Sequence, residues 1–556
     1  MFQPSTTTET VQAQTRRRWW VLGVLCLSLL IVVIDNTIVN VALPTLSEDL
    51  GATTTQLQWI VDAYTLVFAS LLLAMGHVGD RFGRKSALIV GLLLFAGTSV
   101  LAALAGTAGQ LIAARAAMGI GAALVFPATL AILVNVFPDR RERAAAIGIW
   151  SASTGVAVAL GPVSGGWLLE HFDWGAIFLV NIPVVAVALV AVATLVPQSK
   201  DPRVGALDRV GLILSATAVG LFVWAIIEAP HRGWTSMTIL LAAVGAVVLL
   251  TGFVLWERRV QHPLLEIALF RNMRFSAASI SVAAAFFALF GFIFLITQYL
   301  QLVQGYSPLE AGLRTLPFAI ATAATSPLAI LAMHRWGTKL VVGAGLSVMA
   351  AGFVLASRVD VDTPYVGLTL ASMVTMAVGL GLATGPATES IMGSLPEAKA
   401  GVGSAVNDTT RELGGTLGVA VVGSVFASVY GSAIADDLAA AGAPQQAVAV
   451  ARESLAGALA MAQELPGQLS AQVISAAQTS FVDGLAAGSL VAAGVAAIGA
   501  LIAFAFLPAR AAQLPDEPAA VPSDAAQSRM RHVPVSTATD PLTDPSAART
   551  SSAVKA

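Results

Sequence analysis

The chain has 556 residues, of which 56% are hydrophobic and 11% charged, and its mean hydropathy is +0.80. An average soluble protein carries about 25% charged residues, so this chain cannot cover its own surface with polar groups and is expected to sit in lipid. That excludes an ordinary soluble enzyme, a nucleic-acid binder and a secreted scaffold. The net charge of -2 gives no bulk attraction to polyanions, and the single cysteine, Cys26, excludes a disulfide framework and a multi-cysteine metal site.

Apolar runs long enough to cross a hydrocarbon core, which takes about 20 residues each, fall in chain order at 20–41, 57–75, 86–106, 109–135, 144–168, 176–196, 210–229 and 237–256. A second series follows at 275–301, 309–333, 339–358, 365–392, 400–430 and 482–507. The runs are rich in Gly and Ala, and several are too long for barrel strands. The expected fold is therefore all-α, with fourteen spanning helices. The first run is too long for a cleaved leader and continues into further spans.

Placing the N-terminus inside puts 24 of the 30 Lys and Arg residues on the cytoplasmic side, with only Arg232, Arg358 and Arg452 outside and Arg115, Arg314 and Arg411 within spans. This asymmetry predicts a multi-pass protein of the cytoplasmic (inner) membrane with both termini cytoplasmic. Residues 1–15 and 509–556 lack helical periodicity and are expected to be disordered tails. Residues 431–481 read as a long external segment, in which Ala-rich stretches such as 445–460 either form short amphipathic helices lying on the membrane or over the outer mouth, or remain a mobile loop.

A faint repeat organises the spans. Gly79-Asp80-Arg81-Phe82-Gly83-Arg84-Lys85 and Met333-His334-Arg335-Trp336-Gly337-Thr338-Lys339 place Arg, an aromatic, Gly and Lys in register at an offset of 254 residues. Parallel repeats of helical bundles mark transporters. The implied domains are a six-helix bundle at 16–197, a two-helix insertion at 198–258 and a second six-helix bundle at 259–508.

Four motifs carry a family resemblance over roughly residues 16–508. Gly76, Asp80, Arg81, Gly83, Arg84 and Lys85 fill a tight basic turn between spans two and three, and resemble the G-x-x-x-D-R-x-G-R-[KR] loop of the major facilitator superfamily. Asp35 to Pro44 resembles the first-helix signature of its fourteen-helix drug:proton antiporters, and Leu111 through Arg115 to Gly119 their fourth-helix motif. Gly155, Gly161, Pro162, Gly165 and Gly166 resemble the fifth-helix antiporter motif, where Gly-Pro and a small-residue face allow close packing and bending. The chain thus resembles the EmrB/QacA-type multidrug exporters. It has Trp174-Gly175 where many of them carry Trp-Arg. Gly175, Asp62 and Glu412-Leu413-Gly414 are more similar to the subgroup that exports lipophilic cations. No P-loop spacing occurs, so ATP is not expected to drive the protein.

A charge at mid-bilayer costs at least a few kcal/mol, so each buried one needs a reason. Asp35 lies about 22 Å along its helix from Trp20, at a depth similar to Arg115. The pair reads as a protonatable coupling carboxylate tuned by a cation; the alternative is a permanent structural ion pair. Asp62 reads as a site for a bound cation or a second proton, or else as a solvated residue near the outer interface, with Tyr64 as a possible aromatic face for a cation. On the thirteenth span Asp408 is expected to pair with Arg411, which leaves Glu412 as the candidate for substrate or proton binding in the second half. Gln298, Tyr299, Gln301 and Gln304 are read as lining an outer vestibule, and Phe286, Phe287, Phe290, Phe292 and Phe294 as core, lipid-facing or drug-binding.

The resulting expectation is a proton-coupled exporter of lipophilic, cationic small-molecule drugs. Its partners are drugs, protons and lipid, with no cofactor, metal, ATP or nucleic acid. A dedicated exporter of one antibiotic or metabolite is the nearest rival. A membrane enzyme or receptor is the rival from another class, and no catalytic constellation among the six histidines supports it.

Overall fold

The computed structural model of the chain describes residues 6–200, 207–395, 400–441 and 443–508. The helices in chain order are α1 (Thr6–Asp49), α2 (Thr54–Phe82), α3 (Arg84–Ala103), α4 (Ala108–Val136), α5 (Arg140–His171), a short α6 (Ala176–Leu179) running into α7 (Asn181–Leu195), α8 (Arg209–Arg232) and α9 (Met237–Glu257). They continue with α10 (Met273–Gln298), α11 (Pro308–Trp336), α12 (Thr338–Ala356), α13 (Leu370–Met392), α14 (Ala400–Ala440), α15 (Gln445–Glu453), α16 (Leu455–Gln463) and α17 (Gly467–Phe506). Among the described residues, fourteen spans are long and apolar enough to cross a membrane, α6 and α7 together supplying one of them. No strand occurs among the described residues. Lipid cannot satisfy a free peptide group, so each span carries its hydrogen bonds internally.

Turn chemistry sets where the helices begin. Thr53 and Gln56 form a capping box at α2, Ser307 and Glu310 form another at α11, and Asp139, Asp208 and Ser236 cap α5, α8 and α9. Gly83 joins α2 to α3 at φ 119°, a conformation that side chains rarely adopt.

Two segments differ from the sequence reading. The tail expected over 1–15 is helical from Thr6, because extending a long, already nucleated helix costs little; residues 1–5 and 509–556 lie outside the described ones. The external segment expected over 431–481 is shorter. Helix α14 continues to Ala440 and α17 starts at Gly467. Hydropathy marks where a chain crosses lipid, while Ala, the best helix former, carries the helix beyond that boundary. Between them, α15 and α16 turn back over the end of α1. Tyr430 donates to Ala451 O at 2.8 Å, Thr54 Oγ1 to Glu453 O at 2.9 Å, and Ser47 Oγ lies 3.4 Å from Ser454 Oγ.

Helices α1–α5 and α7 pack among one another, as do α10–α14 and α17. Helix α9 packs on α8, and α8 lies against both α2 and α14. The near face is the one at which Arg17 enters the first span; the far face carries the α1–α2 turn. Links between the two sets of helices gather toward the far face. Thr297 Oγ1 donates to Asn40 O at 2.8 Å and Gln301 Nε2 to Val41 O at 2.9 Å. Glu170 at the end of α5 accepts from the Ser307 hydroxyl and from Leu309 N at the start of α11. Toward the near face, many side chains of α5 and α11 are exposed, among them Ile149, Val156, Leu328 and Leu331.

Candidate functional site: buried carboxylates of α1, α2 and α14

Asp35 of α1 and Arg115 of α4 are both 0% exposed and form an ion pair, Nη1 to Oδ2 at 2.5 Å. The other carboxylate oxygen accepts from Asn181 Nδ2 at 3.0 Å, and that amide also donates to Ser99 Oγ at 3.3 Å. Arg115 Nε donates to Ile60 O at 3.1 Å, and the guanidinium lies 4.3 Å above the ring of Tyr64. The Tyr64 hydroxyl in turn donates to Val32 O at 3.2 Å. Four helices thus converge on one charge pair; both Asp35 oxygens are met, while Arg115 Nη2 is buried with no partner among the described residues.

Asn181, Ser99 and the backbone acceptor Ile60 were not among the residues singled out from the sequence. An Asn within an apolar run was the available signal for the first. Tyr64 was read as a face for a substrate cation; its ring is instead occupied by Arg115.

Asp62 is also 0% exposed, so it is not the solvated residue of the alternative reading. Neither carboxylate oxygen has a hydrogen-bond partner among the described residues. Helical spacing puts Gln58, Asp62 and Thr65 on one face, and that face meets α14. Gln58 Nε2 donates to Val419 O and Ala420 O at 3.4 and 3.5 Å, and Thr416 Oγ1 bonds Thr65 Oγ1 at 3.1 Å. Asp62 is therefore shut inside a seam between two helices that belong to different sets.

On α14, Asp408 pairs with Arg411 at 3.8 Å, and Arg411 lies 4.6 Å over the Phe286 ring. Glu412 is half-buried, and its Oε2 has no partner among the described residues. No described hydrogen bond joins Asp62 or Glu412 to the Asp35–Arg115 pair. The side chains read as lining a vestibule at the end of α10 are engaged with neighbouring backbone. Tyr299 is buried and donates to Asp360 O at 3.0 Å, Gln304 donates to Val361 O at 2.8 Å, and Gln301 is spent on Val41. Phe287, Phe292 and Phe294 are core residues, while Phe286 and Phe290 pack beside them partly exposed.

The other two motifs shape how the helices meet. Around the α2–α3 turn, Arg84 Nε bonds Asp80 Oδ1 at 2.7 Å and Arg84 Nη1 reaches Ala131 O at 3.4 Å. Lys85 Nζ reaches Ala193 O at 2.8 Å, Arg81 lies 5.6 Å over the Phe82 ring, and Gly76 lies beside Pro127 with room for a Cβ in ordinary contact. The turn thus holds the near-face ends of α4 and α7. In α5, a Cβ on Gly161 or Gly165 would strike Thr37 or Ile38 of α1, and one on Gly166 would strike the backbone of Pro308 and Leu309. Pro162 O similarly approaches Gly312 of α11. Gly155 faces open space, and nothing in the structure explains a glycine there.

The sequence profile of the Major Facilitator Superfamily matches residues 25–419. The multidrug efflux pump LfrA of Mycolicibacterium smegmatis is 40% identical over 510 residues, which cover 90% of this chain and 99% of that protein. The methyl viologen resistance protein SmvA of Salmonella typhimurium is 33% identical, with 84% and 93% covered. Among solved structures, a bacterial homologue of the human lysosomal transporter Spinster, inward-facing and unoccupied, superposes at a TM-score of 0.63 with 18% identity, covering 90% of this chain and 99% of that one. That likeness is one of fold. The chain belongs to the Major Facilitator Superfamily, and its family and fold are those of a transporter rather than of an enzyme.

Proposed function

We propose that this superfamily member exports lipophilic cationic drugs in exchange for protons, with both termini cytoplasmic. The relatives' names supply the cargo class: one is a multidrug efflux pump, the other confers resistance to methyl viologen, a dication. With the N-terminus inside, the near face is cytoplasmic and the far face external. The links gathered at the far face then make this an inward-facing conformation.

The single observation that carries proton coupling is Asp62. An ionised carboxylate with no partner, sealed between helices, costs at least a few kcal/mol, so Asp62 holds a proton in this conformation. The seam around it joins α2 to α14 across the two bundles, so opening the far face parts the seam and exposes Asp62 to the outside. Asp35 faces Arg115 throughout and couples protonation to the packing of α1, α4 and α7. Glu412, across the seam on α14, attracts the cationic cargo. Alternating exposure comes from rocking the bundle of residues 16–197 against that of 259–508, with the insertion of residues 198–258 riding on the seam. No step calls for ATP, a metal or a cofactor.

Everted membrane vesicles with a pH-sensitive dye test this. Adding a cationic drug should dissipate the imposed proton gradient with the wild-type protein, and should fail to do so with Asp62→Asn at equal membrane abundance. Wild-type dissipation with Asp62→Asn would remove Asp62 from the coupled path.

A further inference from the structure

At the near-face foot of the α8–α9 pair lie two carboxyl groups that transport, as derived above, does not use. Asp208 caps α8: its Oδ1 accepts from Gly211 N at 2.9 Å, and its two oxygens lie 3.0 and 2.9 Å from the donor Trp256 Nε1. Glu257, the last residue of α9, accepts from Leu265 N with Oε2 at 3.1 Å. Its Oε1 is buried with no partner among the described residues. Asp208 is 8% exposed and Glu257 4%. A Cβ on Gly211 would collide with both Glu257 Oε1 and Asp208 Oδ2. The unpartnered oxygen therefore points across Gly211 at the other carboxylate. Among the described residues, the other charged or titratable groups of the surrounding segments are Arg209, Arg258, Arg259, His262 and Glu266, and the three arginines and His262 are exposed.

Ionised carboxylates only accept hydrogen bonds, so two facing each other repel and leave Oε1 unsatisfied. One proton removes both faults. Placed on Glu257 Oε1, it is donated to Asp208 Oδ2. The remaining negative charge stays on Asp208, beside the N–H groups of Gly211 and Trp256 at a helix N-terminus, where an anion is favoured.

We propose that Asp208 and Glu257 form a proton-binding site separate from the transport carboxylates, in which one proton carried on Glu257 ties the end of α9 to the start of α8. Gly211 is required because any side chain there would part the two oxygens. The consequence for the molecule follows from packing. Helix α8 lies on both α2 and α14, and Ser424 of α14 donates to Ile226 O of α8 at 2.8 Å. Losing the proton sets like charges against each other and loosens α9 and residues 258–265 from a helix that touches the moving seam. Folding is thus favoured while the proton is bound and weakens as pH rises through the titration of the pair.

The test uses the purified full-length protein in detergent, with the infrared C=O band of protonated carboxyl groups read as wild type minus variant at neutral pH, and thermal midpoints followed as pH is raised. Glu257→Gln and Asp208→Asn should each remove one acid's worth of band. Glu257→Gln, whose amide can donate the same bond, should also abolish the alkaline fall in midpoint that the wild type shows. Gly211→Ala should lose the band with both acids still present. A band intact in both single variants overturns the proposal. So does a band lost in Glu257→Gln but kept in Asp208→Asn, since that describes a lone buried acid and no sharing.

Discussion

Asp35 and Asp62 stand on neighbouring helices of one bundle and are equally inaccessible at 0% exposure, yet their surroundings are opposite. Asp35 is met on one oxygen by Arg115 and on the other by Asn181. Asp62 is met on neither. Burial alone therefore does not define a carboxylate's task. A compensated acid is part of the architecture and changes it when protonated. An uncompensated one, under the proposed function, holds a proton until the seam opens.

The comparison can be broken by mutation, and the largest effect is expected at Arg115. Arg115→Ala strands a buried charge and strips Ile60 O and the Tyr64 ring of their partner. The cost is about 3–5 kcal/mol, seen as loss of monodisperse protein on size exclusion. Arg115→Lys should not restore it, because an ammonium lacks the planar fork and the ring stacking. Normal yield and stability of Arg115→Ala would show that the pair is not holding the four helices together.

The next two variants set the acids directly against each other. Asp35→Asn leaves Arg115 as an uncompensated cation and should lower the thermal midpoint in detergent by several degrees. Asp62→Asn replaces one neutral group with another and should stay within about 1 kcal/mol of wild type, although drug-driven proton movement is lost. Equal destabilisation by the two would mean that Asp62 is ionised and paired, which would erase the distinction.

Asn181→Ala leaves an oxygen of Asp35 unsatisfied, at about 1–3 kcal/mol. It should also move the pH profile of transport, a readout that a merely structural packing residue would not shift. The smallest effect belongs to the seam. Thr416→Val removes the hydroxyl bond to Thr65 without changing shape much, at about 0.5–1.5 kcal/mol. It should make cysteine probes on the far-face ends of α2 and α14 more reactive, since less holds the seam shut. Unchanged labelling would argue that the Thr65–Thr416 bond does not help to close it.

Several of these features were legible in the residues themselves. The apolar runs gave all fourteen crossings, since the thickness of hydrocarbon sets their length whatever packs beside them. The depth of Asp35 and Arg115 followed from counting residues along helices. The α2–α3 turn was recognisable because a turn of this kind demands glycine at Gly83 and places basic groups next to it. The pairing of Asp408 with Arg411 followed from i,i+3 spacing. Local chemistry and helix pitch suffice for all of these.

What the sequence could not state is which face of a helix meets which neighbour. Asn181 looks like one polar residue in an apolar run until α7 brings it to Asp35. Tyr64 looks available until Arg115 lies over it. Asp62 looks close enough to an interface to be wet until α14 closes on α2. Each of these depends on contacts between residues 55 to 351 positions apart in the chain. Helix pitch is a property of the backbone, so composition and spacing determined the spans and their depths. Rotation about each helix axis is settled by side-chain packing among all the helices at once, so only the tertiary structure decided which buried charge was answered and which was left alone.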